Sequence, residues 1–300
     1  MKKLIFTLII VLSFSISLLA QVNDTNIKAD TVKPWKIKNN VLFTFGQSAY
    51  KYWAQGGENS YSWIGNYKFM AFYKKDNTSW ENTVELAYGM IQQGSKKPYK
   101  TDDKIALTSN FGYKSSRYWY YSGLVDFRTQ FYYGYKNVDD VLPISNFMAP
   151  AYLITSIGME YKRDNFNLML STFTGKTTFV LDTALSNAGA FGVNKGKKVK
   201  AGLGSYLRMT FRKKLMDNIE FNNKIELFSD YFDHPKEIVV NDEFAIKMKI
   251  NKYFSTNLSL NLIYDHNSRN IVKDTAGNVI SNEAKIQLKE VFGLAINFTF

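Results

Sequence analysis

The side chains best equipped for chemistry are few. Two histidines, His234 and His266, each follow an acid, as Asp233-His234 and Asp265-His266. An imidazole beside a carboxylate can act as a general base, and two imidazoles can share a divalent metal. Neighbouring residues of a strand point to opposite faces, however, so neither pair chelates unless the chain bends. Ser268 sits two residues beyond His266 and raises a serine-hydrolase reading, but no G-x-S-x-G or comparable motif accompanies it. Cysteine is absent, which removes disulfides, thiolate metal sites and cysteine nucleophiles. Walker, dinucleotide and calcium-loop motifs are also missing. The expectation is of no catalytic residues, no metal and no cofactor, with a hydrolase using His266 as the alternative.

A larger set of residues carries charge at regular intervals. Lys68, Glu81, Glu85, Lys104, Asp126 and Arg128 each stand next to at least one apolar neighbour, and so do Lys200, Arg208, Arg212, Glu226 and Lys247. Side chains spaced by two on a strand share one face. These charges are therefore candidates for one polar surface, with signs mixed closely enough to pair. Lys200, Arg208 and Arg212 form a basic run that would favour anions if that surface lined a pore.

The elements that must position them are strands. Read backwards by twos from the end, Phe300, Phe298, Ile296, Leu294 and Phe292 are all apolar, while Thr299, Asn297, Ala295 and Gly293 between them are small or polar. A period of two with one oily and one polar face means a strand between two solvents. The stretch resembles the closing strand of a bacterial outer-membrane β-barrel, which typically ends on Phe. The same alternation starts near Ile37 and recurs in twelve segments, never giving way to a helical period. Each segment exceeds the roughly 9–11 residues that a tilted strand needs to cross a bilayer. Short turns such as Lys75-Asp76-Asn77-Thr78 and Arg163-Asp164-Asn165 alternate with longer connections, the pattern of periplasmic turns and outer loops.

Composition agrees. Aromatics make up 16% of the 300 residues, yet mean hydropathy is only −0.25. That value excludes a helical membrane bundle but not a barrel, which dilutes its apolar residues by alternation. Residues 1–20 read as a signal peptide: Lys2 and Lys3, an apolar run, then Leu18-Leu19-Ala20. Residues 21–36 read as a short periplasmic tail and 37–300 as one barrel domain. The net charge of +12 would suggest nucleic acid in a cytosolic protein. Export makes anionic lipid headgroups the better partner, and no nucleic acid is expected.

Several pieces also carry a family resemblance. They include Trp53-Ala54-Gln55-Gly56-Gly57-Glu58-Asn59-Ser60, Asp103-Lys104 through Thr108-Ser109, Trp119-Tyr120-Tyr121 and Phe127 to Phe131. Ser145-Asn146-Phe147-Met148-Ala149-Pro150, Glu226 to Ser229 and Tyr264-Asp265 follow. In this order they resemble the family catalogued as domain of unknown function 3078, over about residues 40–300. The resemblance implies an exported β-rich protein of Gram-negative bacteria and supplies no catalytic residues.

The sequence thus predicts an all-β, antiparallel, transmembrane outer-membrane barrel of about twelve strands. Its expected partners are outer-membrane lipid and the barrel-assembly machinery, through the strand ending at Phe300. Two functions stand open: a narrow channel or transport protein for small hydrophilic solutes, or a non-conducting structural or interaction barrel presenting outer loops. Trp53, Gly56, Gly57 and Asn59 in the first outer loop, with Asn146 and Pro150 in the third, are candidates for a plug or a ligand contact. Gly56-Gly57 permits left-handed backbone there, and Asn59 can hold its own turn.

Overall fold

The computed structural model describes residues 33–52, 54–135, 138–273 and 279–300. The expected signal peptide and most of the expected tail lie outside these residues. The strands are β1 (Trp35–Ser48), β2 (Ser60–Lys75), β3 (Thr78–Gln93), β4 (Tyr99–Lys114), β5 (Trp119–Thr129), β6 (Ala151–Arg163) and β7 (Phe166–Phe179). They continue with β8 (Val199–Met216), β9 (Ile219–Asp230), β10 (Val239–Lys249), β11 (Phe254–Tyr264), β12 (Arg269–Lys273), β13 (Val279–Ala284) and β14 (Gln287–Thr299). All but β12 and β13 form one closed antiparallel barrel, in which β1 pairs with β14 and β14 with β11. The twelve barrel strands are the twelve that the alternation predicts. The chain enters β1 at Trp35 rather than Ile37, because Trp35 pairs with Tyr73 of β2 and their rings lie 5.1 Å apart.

Closure satisfies the backbone where no water could. β1 and β14 run in register from Asn40↔Thr299 to Phe45↔Leu294. Asn39 and Phe300 then exchange backbone hydrogen bonds at 2.8 and 3.1 Å. A closed sheet has no edge, so every strand can lie in hydrocarbon without an orphaned amide. Bulges adjust the curvature. At one of them, between Ile157 and Met159, a Cβ on Gly158 would meet the Leu170 carbonyl oxygen at 2.1 Å, so only glycine fits.

The outward face is the oily one. Phe111, Val125, Ile157, Phe173, Phe292 and Phe298 are all exposed, Ile157 and Phe173 by 70% or more. A continuous apolar belt of this kind needs lipid around it. The inward face is mostly polar, but not everywhere. Leu124, Ile154, Met169, Tyr206 and Phe228 pack into one buried cluster inside β5–β9, with Val239 against it. Each of these occupies the polar phase of its strand, as Leu124 does between Ser122 and Asp126.

The outer connections hold structure that the alternation does not announce. The segment read as a loop after β11 contains the β12–β13 hairpin, paired from Arg269↔Ala284 inward. After β7 the chain forms helix α1 (Thr183–Ala188), where Asp182 accepts from the amides of Ala184 and Leu185. Leu185 packs there with Ala149, Val180 and Val193. No helix among the described residues is long and apolar enough to cross a membrane.

The outward belt makes a prediction. Val125 lies midway along β5 and is half exposed. Val125→Arg should destabilise the folded barrel in lipid vesicles by about 2–4 kcal/mol, read from urea titration, while Val125→Leu should leave it nearly unchanged.

Candidate functional site

Six of the predicted charges, Lys68, Glu85, Lys104, Asp126, Arg128 and Glu226, join with Lys224 and Glu243 into one chain of alternating sign. Lys68 of β2 pairs with Glu85 of β3, which also takes Lys104 of β4 at 2.8 Å. Lys104 reaches across to Glu243 of β10 at 3.9 Å. Lys224 of β9 holds Glu243 at 2.8 Å and approaches Glu226 at 3.8 Å. Arg128 of β5 then bridges to Glu226 at 2.6 Å and faces Asp126 at 2.5 Å. The Arg128–Asp126 contact is a charge pair without hydrogen-bond alignment, since Asp126 Oδ1 has no hydrogen-bond partner. Asp126 is instead anchored by Thr108, whose hydroxyl donates to Oδ2 at 2.7 Å. Glu226 is 4% exposed and accepts further bonds from Tyr206 and Asn241, both at 2.8 Å.

This chain and the apolar cluster divide the lumen unequally. On the β5–β9 side the cluster is packed, with a smaller cavity on each side of it. Along the other side runs a cavity of about 650 Å³, whose lining includes Asn40, Lys104, Arg128, Lys247, Asn257 and Lys289. A second cavity of about 390 Å³ lies in the outer half, bordered by Arg128, Tyr152, Phe228, Asp265 and Gln287. Arg128 and Gln287 border both spaces. A third, of about 470 Å³, opens at the short-turn end, by Arg163 to Asn165, beside Glu81, Arg208 and Arg212.

The basic run of β8 does not form one surface. Arg208 and Arg212 border the cavity at the short-turn end, where Arg208 Nη1 is buried with no hydrogen-bond partner. Lys200 lies at the outer mouth instead, donating to Asp233 at 2.6 Å and Asn267 at 2.9 Å. Glu81 is taken by Lys162 at 3.3 Å. Lys247 differs: no ion pair among the described residues includes it, and nearby Glu220 is held by Lys249 at 2.5 Å.

The loop candidates separate in the same way. Trp53 lies outside the described residues. Gly56 and Gly57 have φ of 81° and 145°, and Asn59 Oδ1 accepts from the Tyr50 amide at 2.5 Å. Gly56, Gly57 and Asn59 are exposed, so this part of the loop does not fill the mouth as a plug would. Asn146 and Pro150 belong to a turn that does fold in. The Asn146 and Ala149 backbones bond to each other at 2.7 and 2.9 Å, and the Pro150 carbonyl accepts from Thr129 at 3.2 Å. Asn146 also donates to Asp182 at 3.2 Å, tying the turn to α1.

The histidines are closer than strand geometry suggests. His234 adopts φ 53°, a left-handed bend that turns its ring toward Asp233, with Nδ1 2.7 Å from Oδ1. His266 comes to the same place from the far side of β11, and one ligand atom from each of Asp233, His234 and His266 lies within 4.8 Å of the others. The dyad imagined with Ser268 does not form among the described contacts: the Ser268 hydroxyl accepts from Gln287 at 3.1 Å.

Sequence reasoning missed the apolar cluster, and it missed Lys176, which pairs with Asp265 at 3.1 Å. The available signal was an apolar residue in the polar phase, at Ile154, Tyr206 and Phe228. From the ion-pair chain, Glu226→Ala should destabilise the folded barrel by about 3–5 kcal/mol, because it leaves the inward Arg128 with only Asp126, a contact without hydrogen-bond alignment. Adding Arg128→Ala should restore part of that loss, and a double-mutant cycle by urea titration measures the coupling.

The barrel can be set beside known proteins. A search of curated proteins finds no match. Solved structures with related outlines include the translocator domain of the autotransporter NalP from Neisseria meningitidis, 9% identical over 90% of this chain and 89% of that one, with TM-score 0.32. The toluene transporter TodX of P. putida is 9% identical over 90% of this chain and 80% of its own, TM-score 0.32. OmpT of Vibrio cholerae is 7% identical over 91% of this chain and all of its own, TM-score 0.31. Likeness at this level carries no statement about activity. The W-x-x-G-G-x-N-S motif and the stretches through Phe131 are a different matter: over residues 45–135, the chain matches the family described as "Protein of unknown function (DUF3078)".

Proposed function

We propose that the chain is an outer-membrane barrel of a Gram-negative bacterium that passes small hydrophilic solutes along the unfilled side of its lumen. The observation that carries this reading is the 650 Å³ cavity, which follows one wall over most of β10 and β11. Its lining mixes amides such as Asn40 and Asn257 with charges such as Lys104, Lys247 and Lys289. A twelve-stranded barrel is wide enough to leave such a path beside a packed half. The apolar belt, the basic net charge and the alternation of short turns with long loops support a location in the outer membrane. Folding there would use the barrel-assembly machinery, with the β14 strand and Phe300 as the recognised end.

A second reading has its own support. Lys104–Glu243 and Arg128–Glu226 span the lumen by direct contact, and a barrel held shut by them would serve as a structural or loop-presenting protein.

Single-channel recording separates the two. Refolded protein, shown to be a barrel by heat-modifiable migration, should give small steady openings in planar bilayers. Lys247→Glu should then move the reversal potential toward cation selectivity, because it inverts a lining charge that no ion pair neutralises. Silence from folded wild-type protein would reject the conducting reading in favour of the closed one.

A further inference from the structure

Three ligand-type side chains meet at the outer mouth although two separate loops supply them. Asp233 and His234 follow β9, and His266 follows β11. The imidazoles of His234 and His266 have centroids 5.2 Å apart. His266 is 5% exposed, so its position is set by packing rather than by solvent. Its Nε2 accepts from Asn267 Nδ2 at 3.0 Å and stands 4.0 Å from Asp233 Oδ2, so a metal held beside Asp233 would take over the lone pair that the Asn267 amide now occupies. Its Nδ1 is buried with no hydrogen-bond partner, and the Glu237 carboxylate lies 3.8 Å away. One imidazole nitrogen turned to a ligand cluster and the other toward an outer carboxylate is how proteins orient metal-bound histidine.

Asp233 already holds a cationic donor: Lys200 Nζ donates to its Oδ2 at 2.6 Å. The Lys200 ammonium therefore stands where a cation is favoured. A divalent ion must displace it from Asp233 Oδ2, after which Lys200 keeps Asn267 as a partner.

We propose that Asp233, His234 and His266 bind a divalent transition-metal cation of the zinc class, cross-linking the loop after β9 to the loop after β11. Two imidazoles and one carboxylate with a fourth position open suit a borderline-soft ion, whereas calcium and magnesium favour all-oxygen sets. Glu237 is a positioning residue, acting on the metal through His266. The loop after β11 borders the outer cavity through Asp265 and Ser268, and the loop after β9 leads into its wall at Val239, the first residue of β10, so the cross-link sets how far that mouth can open. The site stands whether or not the lumen conducts.

The test is calorimetric titration of ZnCl2 into tag-free full-chain protein, refolded in detergent and shown to be heat-modifiable. One zinc per chain is expected, with cobalt in its place giving the visible absorption of a four-coordinate site. Because His234 and His266 are the only imidazoles in the chain, replacing both with alanine should abolish binding. Glu237→Gln should weaken it by about 10–100-fold. Lys200→Met, which removes the competing ammonium, should tighten it. No binding by the folded wild type would overturn the proposal, and so would equal binding by the double histidine variant. Should that variant fail to fold, affinities unchanged in both Asp233→Asn and Lys200→Met would overturn it equally.

Discussion

Everything in this molecule rests on the seam between β1 and β14. A sheet left open in hydrocarbon would carry a row of amides and carbonyls with nothing to bond, each costing several kcal/mol. Six register pairs and the Asn39–Phe300 backbone exchange remove that row. They also fix which residues look inward, because a slip of one residue would turn the apolar face of β14 into the lumen. The side-chain bond from Asn40 to Asn297, at 2.5 Å, marks the same register on the inner surface.

Once the register is fixed, the lumen must accommodate many charges. The protein solves this on its two sides differently. On the β5–β9 side it substitutes apolar residues and fully bonded polar ones. Glu160, for example, is 2% exposed and accepts from Asn110 and Ser122 while facing Lys162 at 3.1 Å. On the opposite side it leaves room for solvent and spaces its charges along the cavity. The mouth is shaped by a third device, in which the Asn146–Pro150 turn and α1 lock together around buried Ala149 and Val180.

Most of the architecture was legible because a barrel writes itself as local alternation. The strand count, the turns after alternate strands and the lumen placement of residues such as Lys68, Glu85 and Arg128 all depend on neighbours within one or two strands. What could not be read involves residues brought together around the circumference. Arg128 meets Glu226 across 98 positions of sequence, and no periodicity encodes that contact. The grouping of Lys200 with Arg208 and Arg212 failed for a related reason. Eight residues of a tilted strand carry Lys200 and Arg208 to opposite ends of the barrel, Lys200 beside Asp233 and Asn267 and Arg208 into one cavity with Arg212. The bend at His234 was hidden too, because a left-handed non-glycine residue has no reliable signature.

The ion-pair chain has one further consequence. From Lys68 to Asp126 it alternates four cations with four anions, none separated from an opposite neighbour by more than 3.9 Å. Such a string has no monopole, and its potential falls off steeply with distance compared with that of a lone charge. It stiffens the wall while remaining nearly invisible to an ion several ångströms away. The field that a solute meets inside the barrel therefore comes from charges outside the string. Lys247, in the open half, is one of them.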